Sequence, residues 1–406
     1  MPDPISWYTL GKEIGDPTTI DEEIDAKILE HNFDASAHGQ SDEAVYNHRI
    51  SEVLDHVNYA IYNIKLNPST RPIKAFVDVG GAAEFSRISD AIAYVHELAG
   101  GRIFIKAGTY TLNTDLTMYS DIQFEGEDDE LTIIDFNGDH KILVEGVWDN
   151  YKSNISFKNI QFKGYRGDNS KAIYLHYAND IEFEDCRFTD NHYLNFFNPS
   201  ACVRTLDVMN LRILGCKVDM NDQLLYGVDT DFIKVSDCFF NTNIHYNIYL
   251  DGVTGVDISN NQVTQNEDYF LLYEAGAGQL TFQNNKFIEN CNGIVWGNSI
   301  GGGIFTGNSF WYGMGTNDVF YFTGCGGIQI HNNTIDSPLN NGIFLSETSF
   351  CNISENYIHD GNIKGIVLDD FSCWLNMVNN NIAMSNADGD ILDNGDSTVL
   401  DNNITS

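Results

Sequence analysis

ISFKNIQF at residues 155–162, IEFEDCRF at 181–188 and LTFQNNKF at 280–287 are one eight-residue phrase: apolar, x, apolar, x, turn former, x, x, apolar. It returns as LRILGCKV (211–218), IKVSDCFF (233–240), VDISNNQV (256–263), GIFTGNSF (303–310), IQIHNNTI (328–335), CNISENYI (351–358), LNMVNNNI (375–382) and STVLDNNI (397–404). Successive starts lie 22 to 30 residues apart. A second apolar phrase precedes most copies by about eight residues: AIYLH, NIYLD, GIVWG, GIFLS and GIVLD. Each unit therefore holds three short strands of period-two alternation, separated by turns. One such unit cannot bury its own apolar face, whereas a stack of them shares a continuous interior. The period predicts an all-β chain coiled as a single-stranded parallel β-helix with three strands per rung.

The columns of the repeat sharpen this. The fifth position is Asn159, Asp185, Gly215, Asp237, Asn260, Asn284, Gly307, Asn332 or Asn379, residue types that tolerate a left-handed backbone at a strand corner. The sixth is Cys186, Cys216 and Cys238, then Asn261, Asn285, Asn308, Asn333, Asn356, Asn380 and Asn402. Such a column reads as an internal Asn ladder, one rung every 4.8 Å or so. The cysteines above it read as small buried hydrophobes rather than disulfide partners.

These phrases resemble the repeats of the pectin-lyase-like superfamily of right-handed β-helices over roughly residues 75 to 406. FVDVGGAAEFSRISDAIAYVHELAGGRIFIKAGTYTL (76–112) is similar to the superfamily's entry module, in which an amphipathic helix closes the open end of the coil. Ile88, Ala91, Ile92, Val95 and Leu98 follow helical spacing, as a capping helix over unpaired edge strands requires. The superfamily contains lyases, hydrolases, epimerases, esterases and binding proteins, so the resemblance implies the fold and leaves the chemistry open.

Before the coil the pattern changes. Residues 1–40 carry no consistent period and read as an arm. Residues 41–70 read as a helical neck, with Ile50, Leu54, Val57, Ile61 and Ile64 at 4-3-4-3 spacing, the seam of a short coiled coil. A helix packed on the coil's own end would show the same spacing, so intramolecular packing stays open. Residues 71–406 form the β-helix, its capping module at 71–115. Arm, neck and coil in that order are similar to the layout of bacteriophage tailspikes and tail fibres. That resemblance implies a homotrimer joined through the neck, other tail proteins bound through the arm, a host-surface glycan on the coil, and a place in the virion tail after synthesis in the host cytoplasm.

Composition excludes other classes. Of 406 residues, 58 are acidic and 22 basic, for a formal charge of −36, which repels nucleic-acid phosphates and anionic lipid. No apolar run approaches the roughly 18 residues of a membrane span, and MPDPISWYTLGKEIGD lacks the features of a signal peptide. No zinc spacing, EF-hand or nonapeptide calcium repeat occurs, so neither a metal nor another cofactor is expected.

Chemistry is sought on the outward positions of the first strand. Counted along the repeat these are Tyr174, Arg204, Tyr226, Tyr249, Tyr273, Trp296, Tyr321, Phe344, Val367 and Leu392. Tyr226, Tyr249, Tyr273, Trp296, Tyr321 and Phe344 form an aromatic stripe roughly 25 Å long at standard strand spacing. Three readings stay open: a glycan groove, because aromatic faces stack on sugar rings, a subunit contact, or self-stacking that stiffens the coil. Asp229, Asp231, Asp251, Glu267, Asp268 and Glu274 fall on three consecutive rungs beside it, with His245 between. Asp251 with Asp229 or Glu274 is the expected catalytic pair of a glycoside hydrolase, since neighbouring rungs deliver the carboxyl spacing that chemistry needs. By strict alternation Glu274 faces inward. A second grouping, Tyr174, His176, Asp190, His192 and Arg204, surrounds the insertion DNHYLNFFNPS and suits proton abstraction from a uronate. Against it, no arginine follows Arg212 and only four lysines do. A β-helix of purely structural use is the remaining alternative.

Overall fold

The computed structural model describes residues 73–167, 171–191, 201–275, 279–289, 293–311 and 317–406. The arm, the neck and His192 lie outside the described residues.

The coil opens with a strand, β1 (Ile73–Val77), a helix, α1 (Ile88–Glu97), and a second strand, β2 (Gly101–Ile105). β1 pairs with β2, and β2 pairs in parallel with Ile122–Gly126. Helix α1 buries Ile88, Ala91, Ile92 and Val95. Leu98 stands at its C-cap and is exposed, one residue past the last turn that faces the sheet.

The chain then winds through one 12-stranded and one 23-stranded sheet whose ladders are all parallel. The larger sheet covers two faces of the coil, because Lys171–Glu184, Ala201–Leu214 and Gln223–Ser236 run unbroken from one face to the next. This is an all-β, right-handed parallel β-helix with three strands per turn.

The corners carry the expected left-handed residues: φ is 53° at Asn159, 51° at Asp185, 63° at Gly215, 59° at Asp237 and 58° at Asn260. Near the end the column shifts by one. Asn380 and Asn402, expected in the ladder, are the left-handed corners, at φ 52° and 53°, and Asn381 and Asn403 take the ladder positions. The last two phrases begin one residue later than their apolar spacing suggests, because Val378 and Leu400 occupy the third position.

Inside, the ladder works as anticipated. Asn285 N and Nδ2 both donate to Asn308 Oδ1, at 3.0 and 3.1 Å, and Asn308 Nδ2 donates to Phe282 O and Asn333 Oδ1. The thiols of Cys186, Cys216 and Cys238 reach Phe157 O, Phe183 O and Ile213 O, the carbonyl column that Asn261 continues at Val235 O. A thiol thus replaces the amide at one end of the ladder. Phe124, Phe157 and Phe183 stack beside it, centroids 5.0 and 5.1 Å apart. No helix among the described residues is long and apolar enough to cross a membrane.

Candidate functional site

The outward column of the first face is set by register. Tyr174 pairs with Arg204, Arg204 with Tyr226 and Tyr226 with Tyr249. Tyr249 pairs with Leu272, Leu272 with Trp296, Trp296 with Tyr321 and Tyr321 with Phe344. Five of the six expected aromatics stand in line, and Tyr273 does not. It points inward, fully buried, and its hydroxyl donates to Val253 O at 2.6 Å. YFLLY (269–273) is apolar throughout, so alternation assigns no phase to it. The extra residue in this turn lies after Glu274, where the repeat lengthens from 23 to 24 residues.

The column is partly covered by itself. Tyr226 and Tyr249 stack at 4.6 Å with 14° between planes, and Tyr321 and Phe344 at 5.2 Å with 4°. Trp296 meets Tyr321 edge-on at 6.2 Å. Two rings that the repeat count passed over join it: Tyr246 and Tyr269 lie 6.5 and 6.2 Å from Trp296. Gly293 makes room for this, since a Cβ there would stand 2.3 Å from the Tyr269 ring. The Trp296 indole N–H is buried with no hydrogen-bond partner among the described residues.

The three expected carboxylates come together. Asp251 pairs in register with Glu274 on the next rung and with Val228, the residue before Asp229, on the previous one. Glu274 is therefore outward beside Asp251, correcting the inward position that strict alternation implies. The Tyr249 hydroxyl donates to Glu274 Oε2 at 2.6 Å. Asp229 sits at a left-handed corner with φ 46°. Its side chain lies over Gly252, where a Cβ would meet Asp229 Oδ1 at 2.8 Å. Burial first, then the charges of Glu274 and Asp229, hold the Asp251 carboxyl above its usual range. Burial and the bond to Glu274 likewise raise Tyr249, and burial with Asp268 and Glu274 nearby pushes Tyr246 up to about 12.

The other acids separate. Asp231 accepts from Thr254 Oγ1. Asp268 is half-buried, and its side chain accepts from Tyr269 N at 2.8 Å. Burial raises Asp268 and also Asp318, which accepts from Asn341 N and Nδ2. The second grouping divides: Tyr174 and His176 share the first face, whereas Asp190 pairs with Arg166 at 2.7 Å off another sheet. On the 12-stranded sheet, Asp336, His359 and Asp360 bring ligand-type atoms within 4.8 Å of one another, away from the aromatic face.

The signal for Tyr246 and Tyr269 was present in the chain. Aligning HYNIYLD (245–251) with DYFLLYE (268–274) on their terminal acids superposes these tyrosines and sets Tyr273 against Leu250.

The family model described as "Right handed beta helix region" matches residues 122–287 and 272–404. No curated protein matches the sequence. Among solved structures, the catalytic unit of the thermostable GH87 alpha-1,3-glucanase from Streptomyces thermodiastaticus strain HF3-3 is 12% identical at a TM-score of 0.59, covering 83% of this chain and 70% of its own. DFA-IIIase from Arthrobacter chlorophenolicus A6 is 13% identical at 0.57, covering 75% and 94%. Tailspike protein 3 of bacteriophage CBA120 is 11% identical at 0.46, covering 90% and 68%. At such identities the likeness is one of fold.

Proposed function

Because the chain belongs to the right-handed β-helix family, whose coil presents outward columns at fixed spacing, we propose that it holds a polysaccharide along its aromatic face and hydrolyses it at Asp251 and Glu274. The observation that carries this reading is the placement of two registered carboxylates, with a third at Asp229, directly beside the Tyr226–Tyr249 stack.

Registered partners on neighbouring strands stand about 4.8 Å apart, close to the roughly 5–5.5 Å carboxyl separation of retaining glycosidases. The electrostatics divide the roles. Asp251, whose carboxyl is held above its usual range by burial and then by the charges of Glu274 and Asp229, takes the role of general acid. Glu274, oriented by the Tyr249 hydroxyl, is the nucleophile. Its carboxylate attacks the anomeric carbon as the glycosidic oxygen leaves with the Asp251 proton. Water, deprotonated by the Asp251 carboxylate, then displaces Glu274 and restores the configuration. The outward surface of the Tyr226–Tyr249 stack carries the sugar rings. The glucanase of similar fold is a catalytic unit by its own name, which supports the fold as a frame for hydrolysis and nothing finer.

The test is a panel of surface polysaccharides read for new reducing ends and for absorbance near 235 nm. Asp251→Asn should abolish cleavage and leave binding within about twofold, since an amide keeps the shape but has no acidic proton to give. Unsaturated products absorbing in the ultraviolet, in place of reducing ends alone, would replace hydrolysis by elimination. A virion role as a trimeric tailspike rests on the order of arm, neck and coil in the sequence.

A further inference from the structure

Lys141, Lys171 and Arg204 line one open depression at the N-terminal end of the aromatic face, with Tyr174 as its wall and Leu206 and Val228 among its lining. The Lys171 ammonium stands 3.3 Å from the Tyr174 ring centroid, and the Arg204 guanidinium 4.9 Å from that of Tyr226. Other cations of the coil hold carboxylates, among them Arg102 with Glu125, Lys158 with Glu184, Arg166 with Asp190 and Arg212 with Glu182. Among the described residues, none of the three in the depression has such a partner. On a chain of net charge −36, three cations gathered with no carboxylate paired to any of them among the described residues leave a local excess of positive charge.

The cations act on one another. Burial, followed by the charges of Arg204 and Lys141, lowers the pKa of Lys171, and Glu145 opposes this. Asp207 and Glu145 are the acids that reach Tyr174. An anion entering the depression relieves the repulsion, and the aromatic wall and aliphatic lining suit the ring that carries it. Leu206, Val228 and Asp251 are successive register partners, so the depression begins at Val228, one rung spacing from the catalytic acid, and its Arg204 stands on the strand two spacings, roughly 10 Å, away. That is the reach of neighbouring sugars on one bound chain.

We propose that this depression binds an anionic substituent, a carboxylate or a sulfate ester, on a sugar stacked against Tyr174, so that the polysaccharide taken by the coil is acidic. The inference rests on the aromatic face being a glycan groove and deepens that reading. It revises the view that a shortage of cations argues against acidic substrates: the shortage holds after Arg212, and these three precede it.

The experiment is lysine footprinting of the full chain by acetylation and mass spectrometry, with glucuronate, glucose 6-sulfate and glucose as probes. Glucuronate or glucose 6-sulfate should slow acetylation of Lys171 and Lys141 several-fold against Lys286, and glucose should not. Protection by one anion alone names the substituent. Arg204→Gln should raise the anion concentration needed about tenfold, which corresponds to roughly 1.4 kcal/mol. In Lys171→Gln, which is the check if Arg204→Gln does not fold, the protection read at Lys141 should weaken likewise. Protection by neither anion, equal protection by glucose, or unchanged protection in both variants overturns the proposal. Asp251→Asn should retain the footprint. A footprint without cleavage of any polysaccharide would leave the anion site standing and remove the hydrolase reading.

Discussion

Tyr273 and Trp296 are both aromatic residues of the first strand face, and opposite consequences follow from which way each points. Tyr273 is fully buried with its hydroxyl bonded to Val253 O. Tyr273→Ala should lower stability by about 3–5 kcal/mol, as large-to-small changes in cores do, and strand a carbonyl besides. Trp296 is outward and half-buried against Tyr246, Tyr269 and Tyr321. Trp296→Ala should weaken glycan binding by about 1–2 kcal/mol from lost stacking, with a smaller effect on unfolding than Tyr273→Ala. Denaturant titration and calorimetric binding of the two variants separate these outcomes. If Trp296→Ala destabilises as much as Tyr273→Ala and binds normally, the stripe is a stiffener and not a groove.

At the scale of the element, the coil is held by a column that repeats one interaction. Asn308 accepts two hydrogen bonds from Asn285 and donates two more, to Phe282 O and Asn333 Oδ1. Asn308→Ala should cost about 2–4 kcal/mol, because it leaves donors and acceptors of two neighbouring rungs unpaired inside the coil. Asn308→Cys should cost less. The thiols of Cys186, Cys216 and Cys238 already occupy the equivalent place and reach the equivalent carbonyl. The order of the two unfolding midpoints checks this; a cysteine variant no more stable than the alanine would mean that the thiols fill space without bonding.

For the whole molecule, acidity and assembly make separate predictions. Burial raises the carboxyls of Asp268 and Asp318, so the native state binds their protons more tightly than the unfolded chain does. Their contribution to stability is present below the ordinary carboxyl range near pH 4 and declines as pH rises through it to the raised values. Unfolding midpoints measured from pH 4 upward should fall less steeply in Asp318→Asn than in the parent protein; an unchanged slope would remove Asp318 from this account. The expectation of assembly rests on the sequence of the neck, which lies outside the described residues. The 4-3-4-3 seam predicts a trimer, so Val57→Asp with Ile61→Asp should release monomers in sedimentation, and an unchanged mass would take the neck out of the argument.

Architecture was legible in the chain because each of its signals is local and recurs. Period-two alternation, a corner residue with positive φ and a ladder residue next to it return every 22 to 30 residues. An error at one copy is outvoted by its neighbours. Clustering of Asp229, Asp251 and Glu274 was legible for the same reason, since they fall on successive rungs. Orientation was not. In Tyr269–Glu274 five apolar residues in a row erase the alternation, and an insertion after Glu274 shifts the count, so only cross-strand hydrogen bonding decides that Leu272 faces out and Tyr273 in. The basic depression was equally invisible, because Lys141, Lys171 and Arg204 come from separate turns of the chain, and only winding those turns into one coil brings three like charges side by side.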